Sequence, residues 1–255
     1  MFFKYHTIWY NVKESNRMEK TMVNEMMHRP VVKPELVDYM RTAQRQFSGK
    51  LGELQKRANQ AGNPIIPHET AVFLDFLLSI YPAKNILEIG TAVGFSASLM
   101  AQHLPKGGHL KTIDRYELMY SRAKENFKWL GVDDVVTQLE GDAAVILPTL
   151  DEEFDFIFMD SAKAKYYEFL PDCIRLLKVG GILVVDDIFQ AGTILDDIQT
   201  IPRRVRKIHR RLNLFLDTVQ QHPALKSTLV PLGDGIIMIQ KLEEVDLMYL
   251  LEEIE

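Results

Sequence analysis

The chain reads as an α/β protein: a doubly wound, mostly parallel seven-stranded sheet with a C-terminal antiparallel hairpin. Three observations predict this. Short apolar runs alternate with amphipathic helical stretches between residues 85 and 185, the pattern of strands joined by crossover helices. The run Ile86-Leu-Glu-Ile-Gly-Thr-Ala-Val-Gly-Phe-Ser96 ends a buried strand at Gly90 and opens a helix after Gly94. Finally, Ser227–Leu232 and Ile236–Lys241 flank Gly233-Asp234-Gly235, a hairpin signal.

In chain order, residues 1–30 are polar and irregular and read as a flexible leader, with Met18 and Met22 as alternative natural starts. Residues 31–67 form an N-terminal helical region. Leu36, Val37 and Met40, then Leu51 and Leu54, recur at helical spacing from Lys33 to Ala61, and Asn63-Pro-Ile-Ile-Pro67 is an extended linker. Residues 68–255 make the α/β domain. A helix over His68–Tyr81 turns Ala71, Leu74, Phe76, Leu77 and Leu78 inward. Strands are expected at Asn85–Ile89, Leu110–Ile113, Val135–Leu139, Phe154–Met159 and Gly181–Val185. Helices are expected at Gly94–His103, Tyr116–Leu130, Ala143–Leu150 and Lys165–Leu177.

Composition narrows the function. With 255 residues, 47% of them hydrophobic, the chain can bury a large core. A net charge of -5 gives no general affinity for polyanions, so contact with nucleic acid must come from a local basic patch. One cysteine, Cys173, excludes a disulfide framework and a cysteine zinc cluster. No apolar run reaches membrane-spanning length and the opening residues lack a signal-peptide pattern, so a cytoplasmic protein without a membrane partner is expected.

A strand that stops at glycine and feeds a helix makes a ligand crevice at the carboxyl edge of a parallel sheet. The spacing Gly90-x-x-x-Gly94 is not the dinucleotide fingerprint, and no Lys-Ser/Thr follows as in a phosphate-cradling loop. The second strand ends on Asp114, where a carboxylate can accept hydrogen bonds from a ribose diol. The third ends at Glu140-Gly-Asp142-Ala143. Three strand ends, carrying Glu88 with Gly90, Asp114, and Asp142, thus line one crevice.

The run ILEIGTAVGFS, the strand-end Asp114 and the run FDFIFMDSAKAKYY together resemble the class I S-adenosylmethionine-dependent methyltransferases. More narrowly they resemble the metal-dependent O-methyltransferases that act on catechols and caffeoyl-CoA. The resemblance covers roughly Pro64 to Lys241 and implies a Rossmann-like methyltransferase fold. It implies that Ile66, Glu88, Gly90, Phe95 and Ser96 surround the methionine part of the donor, and that Asp114 holds its ribose. Asp142 and Ala143 would border the adenine, and Asp160 would lie between donor and metal.

Asp160 ends one strand, and Asp186 and Asp187 end another. Three carboxylates at adjacent strand ends repel unless a cation lies between them. Oxygen ligands favour Mg²⁺, or Mn²⁺ as a substitute, over zinc. In the family resembled the matching set is Asp, Asp and Asn, so Asp187 is a departure. The resemblance places the catalytic base at Lys163, where a lysine beside a cation is expected to have a lowered pKa. Tyr166 follows as an acceptor contact. A module without chemistry has no need of this set.

The segment Ile201–Asn213 stands apart: six of the nine residues from Arg203 to Arg211 are Lys or Arg. Arg203, Arg206, Lys207 and Arg210 share one helix face, broadened by Arg204 and Arg211. Val205, Ile208, Leu212 and Phe215 lie opposite, and His209 reads as a phosphate or surface contact. Within the family such an insert resembles the bacterial branch that methylates 5-hydroxyuridine in the tRNA anticodon wobble position. That base offers neighbouring oxygens as a catechol does, in an unpaired loop. The alternative is a small catechol-like or CoA-linked phenolic acceptor. Helices ahead of such a core often pack on a second copy, so a homodimer is expected.

Overall fold

The carboxyl-edge crevice forms because the apolar runs pair in register. The computed structural model describes residues 32–252, so the expected leader lies outside the described residues. The helices are α1 (Pro34–Ala43), α2 (Gly49–Gln60), α3 (His68–Ile80), α4 (Phe95–Ala101), α5 (Glu117–Leu130), α6 (Ala143–Ile146), α7 (Tyr166–Leu176) and α8 (Arg206–Gln221). The strands are β1 (Asn85–Ile89), β2 (His109–Asp114), β3 (Val136–Glu140), β4 (Phe154–Met159), β5 (Leu177–Val185), β6 (Leu225–Val230) and β7 (Ile236–Lys241). They form one seven-stranded sheet in the order β3-β2-β1-β4-β5-β7-β6. Five strands are parallel; β7 runs antiparallel to β5, and β6 antiparallel to β7.

Alternation in the strands divides the core into two layers. Leu87, Ile89, Ile157 and Met159 point to one face, where α7 and α8 cover them with Leu170, Ile174, Leu212 and Phe215. Ile86, Phe156 and Phe158 point to the other, under α2 to α5 with Leu54, Leu74, Leu99 and Phe127. Helices on both faces explain why the central strands are apolar at nearly every position.

Several boundaries differ from the sequence pattern. The stretch 33–61 is two helices, because the chain turns extended at Gln44 and stays out of helix to Ser48, which precedes α2. β5 begins at Leu177, but its pairing to β4 skips from Leu177 to Ile182. Gly180 at φ 84° makes that irregularity. Phe76, expected inward, is 63% exposed, because the buried stripe of α3 runs through Thr70, Ala71, Leu74, Leu77 and Leu78. No described helix is long and apolar enough to cross a membrane.

Candidate active site

Four backbone hydrogen bonds carry the sheet register one residue past the strand ends. The N–H groups of Gly90, Gly141, Asp160 and Asp186 donate to the carbonyls of Ile113, Asp114, Ile89 and Met159, at 2.9 to 3.0 Å. The loops after β1 to β5 therefore leave one edge together, and a cavity of about 810 Å³ opens over them. Ile66, Gly90, Phe95, Ser96, Asp114, Asp142, Ala143, Asp160, Lys163 and Asp187 all line it.

The two glycines of the first loop serve different neighbours. A Cβ on Gly90, which sits at φ 112°, would stand 1.9 Å from the carbonyl oxygen of Asp160. One on Gly94, at φ 81°, would stand 2.6 Å from the Phe127 ring. The first glycine lets β1 and β4 leave the sheet side by side; the second lets α4 settle against α5. Between them Ala92 takes φ 44°, and its N–H donates to Asp114 Oδ2 at 2.9 Å. The other oxygen of Asp114 accepts from Tyr116 N at 2.9 Å. The carboxylate is thus fixed by two loops, with lone pairs left toward the cavity.

Glu88 is fully buried and does not line the cavity itself. Ser96 Oγ and Thr112 Oγ1 both hydrogen-bond to its carboxyl. Burial raises its pKa to about 7, against the opposing pull of those hydroxyls. Asp142 caps α6 by accepting from Ala144 N at 2.9 Å, and that bond, with Arg115 at 3.2 Å, holds it below the ordinary carboxylate range. Arg115 also lies 5.0 Å from the Tyr116 ring centre, an arrangement the sequence did not signal.

At the other end of the cavity the acids gather. Asp186 is buried and Asp160 half-buried; both carboxyls are raised first by desolvation and then by their acidic neighbours, Asp160 to about 7 and Asp186 well above its ordinary value. All the donors are oxygen, which suits a hard divalent cation and would relieve that repulsion. The side chains are nonetheless turned to other partners. Asp186 Oδ1 accepts from Asp187 N at 2.7 Å, and Asp187 Oδ2 lies 3.2 Å from Lys163 Nζ. Among the described residues no three acidic, histidine or cysteine side chains converge as a ready-made metal cage.

The lowered pKa expected of Lys163 belongs to a lysine beside a cation; among the protein's own groups the balance runs the other way. Burial pulls its pKa down, but Asp187 and Asp234 together outweigh burial and leave it raised, so it rests as an ammonium. Asp234 Oδ2 is its nearer partner at 2.9 Å, from a carboxylate with no exposed side-chain surface.

A family profile described as O-methyltransferase matches residues 43–242. The chain belongs to the O-methyltransferase family. Tapetum-specific methyltransferase 1 of Arabidopsis thaliana is 30% identical over 212 residues, covering 82% of this chain and 87% of that protein. A catechol O-methyltransferase of Niastella koreensis is 37% identical over 150 residues, 56% of this chain and 67% of that one. Plant caffeoyl-CoA O-methyltransferases are also among the relatives. The O-methyltransferase of Bacillus cereus in complex with SAH shares the fold, with a TM-score of 0.72 at 24% identity over 81% of this chain and 97% of that one. This protein is therefore an S-adenosylmethionine-dependent O-methyltransferase of the catechol and caffeoyl-CoA type.

Three expectations about the methyltransferase's acceptor side need correction. Tyr166 does not face the cavity: it is fully buried in the core, its hydroxyl spent on the backbone of Ser161, because α7 begins there and turns the ring toward Phe215. The basic face is narrower than the helical spacing implies. Arg203, Arg204, Lys207 and Arg210 are exposed. Arg206 instead donates to the carbonyls of Ile201 and Gln199 at 2.8 and 2.9 Å, and Arg211 to Ala164 O at 2.9 Å, with Glu168 3.3 Å away. His209 is buried, not a surface contact, since it falls on the inner side of α8. Val205 and Ile208 do reach the cavity wall, so the cationic residues stand beside its rim.

Proposed function

We propose that this protein methylates a hydroxyl group with a second oxygen on the neighbouring carbon, assisted by a divalent cation, Mg²⁺ or Mn²⁺. The observation carrying the reading is Asp160, Asp187 and Lys163 at one end of a single cavity whose other end carries Asp114 and Asp142. In this reading Asp114 receives the ribose diol on its remaining lone pairs, Ser96 faces the methionine part with its hydroxyl held from behind by the Glu88 carboxyl, and Asp142 with Ala143 borders the adenine. Asp160, Asp186 and Asp187 would hold the cation, which when bound lowers the pKa of the acceptor hydroxyl.

Lys163 then handles charge and proton. As an ammonium it stabilises the developing oxyanion. With Asp187 engaged elsewhere, only Asp234 opposes the burial that drives Lys163 neutral, and its Nζ can take the hydroxyl proton. The walls from Ile66, Phe95, Phe169, Val205 and Ile208 exclude water and hold the two reactants at attack distance. No covalent intermediate on the enzyme is needed.

Two acceptors fit. The names of the relatives favour a small catechol-like or CoA-linked phenol. The exposed Arg203, Arg204, Lys207 and Arg210 beside the cavity favour an acceptor with phosphates, and the 5-hydroxyuridine of a tRNA anticodon loop has both the phosphates and the paired oxygens. Purified enzyme is offered 3,4-dihydroxybenzoate and tRNA carrying 5-hydroxyuridine, with and without EDTA, and products are read by mass spectrometry. Methylation of either acceptor that is lost in EDTA supports the reading; full activity in EDTA refutes the metal, and methylation of neither refutes the acceptor chemistry. A homodimer in the cytoplasm belongs to the same proposal: Leu36 and Tyr39 on α1, with Phe76 and Ile80 on α3, are exposed apolar side chains a second copy would cover. Sedimentation velocity tests it.

A further inference from the structure

We propose that Asp234, at the tip of the β6–β7 hairpin, is the positioning residue that sets Lys163 against the acceptor. The inference rests on the reading of Lys163 given above. β7 is antiparallel to β5, so the hairpin tip returns to the carboxyl edge of the parallel strands, with Ile237 opposite Val185. There the Asp234 carboxylate is buried with each oxygen assigned: Oδ2 to Lys163 Nζ at 2.9 Å, and Oδ1 to the N–H of Ala191 at 2.6 Å. Its backbone carbonyl accepts from Phe189 N at 2.8 Å, and the carbonyl of Gly235 accepts from Ile188 N at 3.0 Å.

The segment so held is strained. Asp187, Gln190 and Ala191 take φ of 61°, 50° and 58°, a region L-residues avoid. Such backbone persists only where the surroundings over-determine it, and Asp234 with its flanking glycine supplies three of the bonds that do so, those of Ile188, Phe189 and Ala191 N–H. Gly235, at φ 88°, allows close packing, since a Cβ there would stand 2.1 Å from the Phe189 ring. One carboxylate therefore joins the lysine to the loop that carries Asp187, and Asp187 closes the triangle on Lys163 at 3.2 Å.

A purely structural role and a positioning role separate at D234N. Asparagine keeps an oxygen for the N–H of Ala191 but turns an amide donor toward the ammonium, so the loop bond survives and the lysine contact does not. We expect kcat to fall on the order of 10-fold to 100-fold, within the usual span for proton-transfer groups. S-adenosylmethionine affinity and acceptor KM should stay within about threefold, and D234E should recover part of kcat. Independently of any acceptor, acetic anhydride labelling followed by mass spectrometry should modify Lys163 several-fold faster in D234N, with Lys165 as the internal control. Wild-type kcat in D234N alongside an inactive K163A would overturn this inference alone, as would unchanged labelling of Lys163. Loss of S-adenosylmethionine binding in step with activity would also overturn it. A fully active K163A would remove the Lys163 reading, and the inference with it.

Discussion

Replacing Glu88 by glutamine tests the physics of the cofactor edge, because it removes one ionisable group and little volume. The carboxyl is fully buried, and its pKa moves from 4.5 to about 7. Between those values the folded protein binds a proton that the unfolded chain has lost, so stability falls as pH rises. Its full contribution is present below pH 4.5 and is lost as pH climbs through 7. At roughly 1.4 kcal/mol per tenfold the total is about 3 kcal/mol, of which about 1 kcal/mol falls between pH 6 and pH 8. Glutamine offers a donor and an acceptor as the protonated acid does, and Thr112, bonded at 2.6 Å to Thr91, can turn its hydroxyl to match. The gap in stability between E88Q and wild type should therefore shift by about 1 kcal/mol in favour of E88Q from pH 6 to pH 8, roughly 2–4 °C in midpoint. Urea unfolding in EDTA at three pH values measures it. Asp186 titrates in both proteins and drops out of the difference, while Asp160 enters it only through its smaller charge effect on Glu88, behind burial and the two hydroxyls. Parallel pH profiles would refute the claim that Glu88 is held protonated by burial.

Other expectations follow from the same geometry. D114N replaces one acceptor with an amide donor facing a backbone N–H, so S-adenosylmethionine affinity should fall by about 10-fold or more in calorimetry. G90A forces a Cβ into the Asp160 carbonyl and should lower stability by about 4 kcal/mol or abolish folding, read by thermal denaturation. Changing Arg203, Arg204, Lys207 and Arg210 together to alanine should weaken tRNA binding and flatten its salt dependence by a slope of about 3, leaving S-adenosylmethionine affinity unchanged. Equal tRNA affinity would return those residues to an ordinary solvated surface.

The sheet was legible because its physics is local. Central strands covered on both faces must be short apolar runs, and Asn85–Ile89, Phe154–Met159 and Ile236–Lys241 match their expected bounds residue for residue. The crevice was legible for a related reason, since strand-end acids at one edge of a parallel sheet must share one crevice, and Asp114, Asp142 and Asp160 do line one cavity. What failed was direction. Tyr166 stands three positions after Lys163, but that spacing does not say that a turn of 3₁₀ helix intervenes and sends the ring inward. The basic segment looked uniform because a helical wheel weighs every arginine alike; Arg206 and Arg211 reach backbone carbonyls that only the folded loops supply. Asp234 read as a turn residue between two glycines. Its place beside Lys163 follows from the antiparallel return of β7 to β5, a long-range pairing with no local mark.

That return also orders the assembly of the enzyme. β7, the last of the described strands, is not an edge: it lies between β5 and β6. A growing chain presents the glycine turn and Asp114 more than a hundred residues before it presents Asp234. The half of the crevice built on β1 to β3 can thus take shape early, while the half around Lys163 waits for β7 to be threaded into the sheet. The Asp234 contact that holds Lys163 arrives late, with the hairpin that inserts β7.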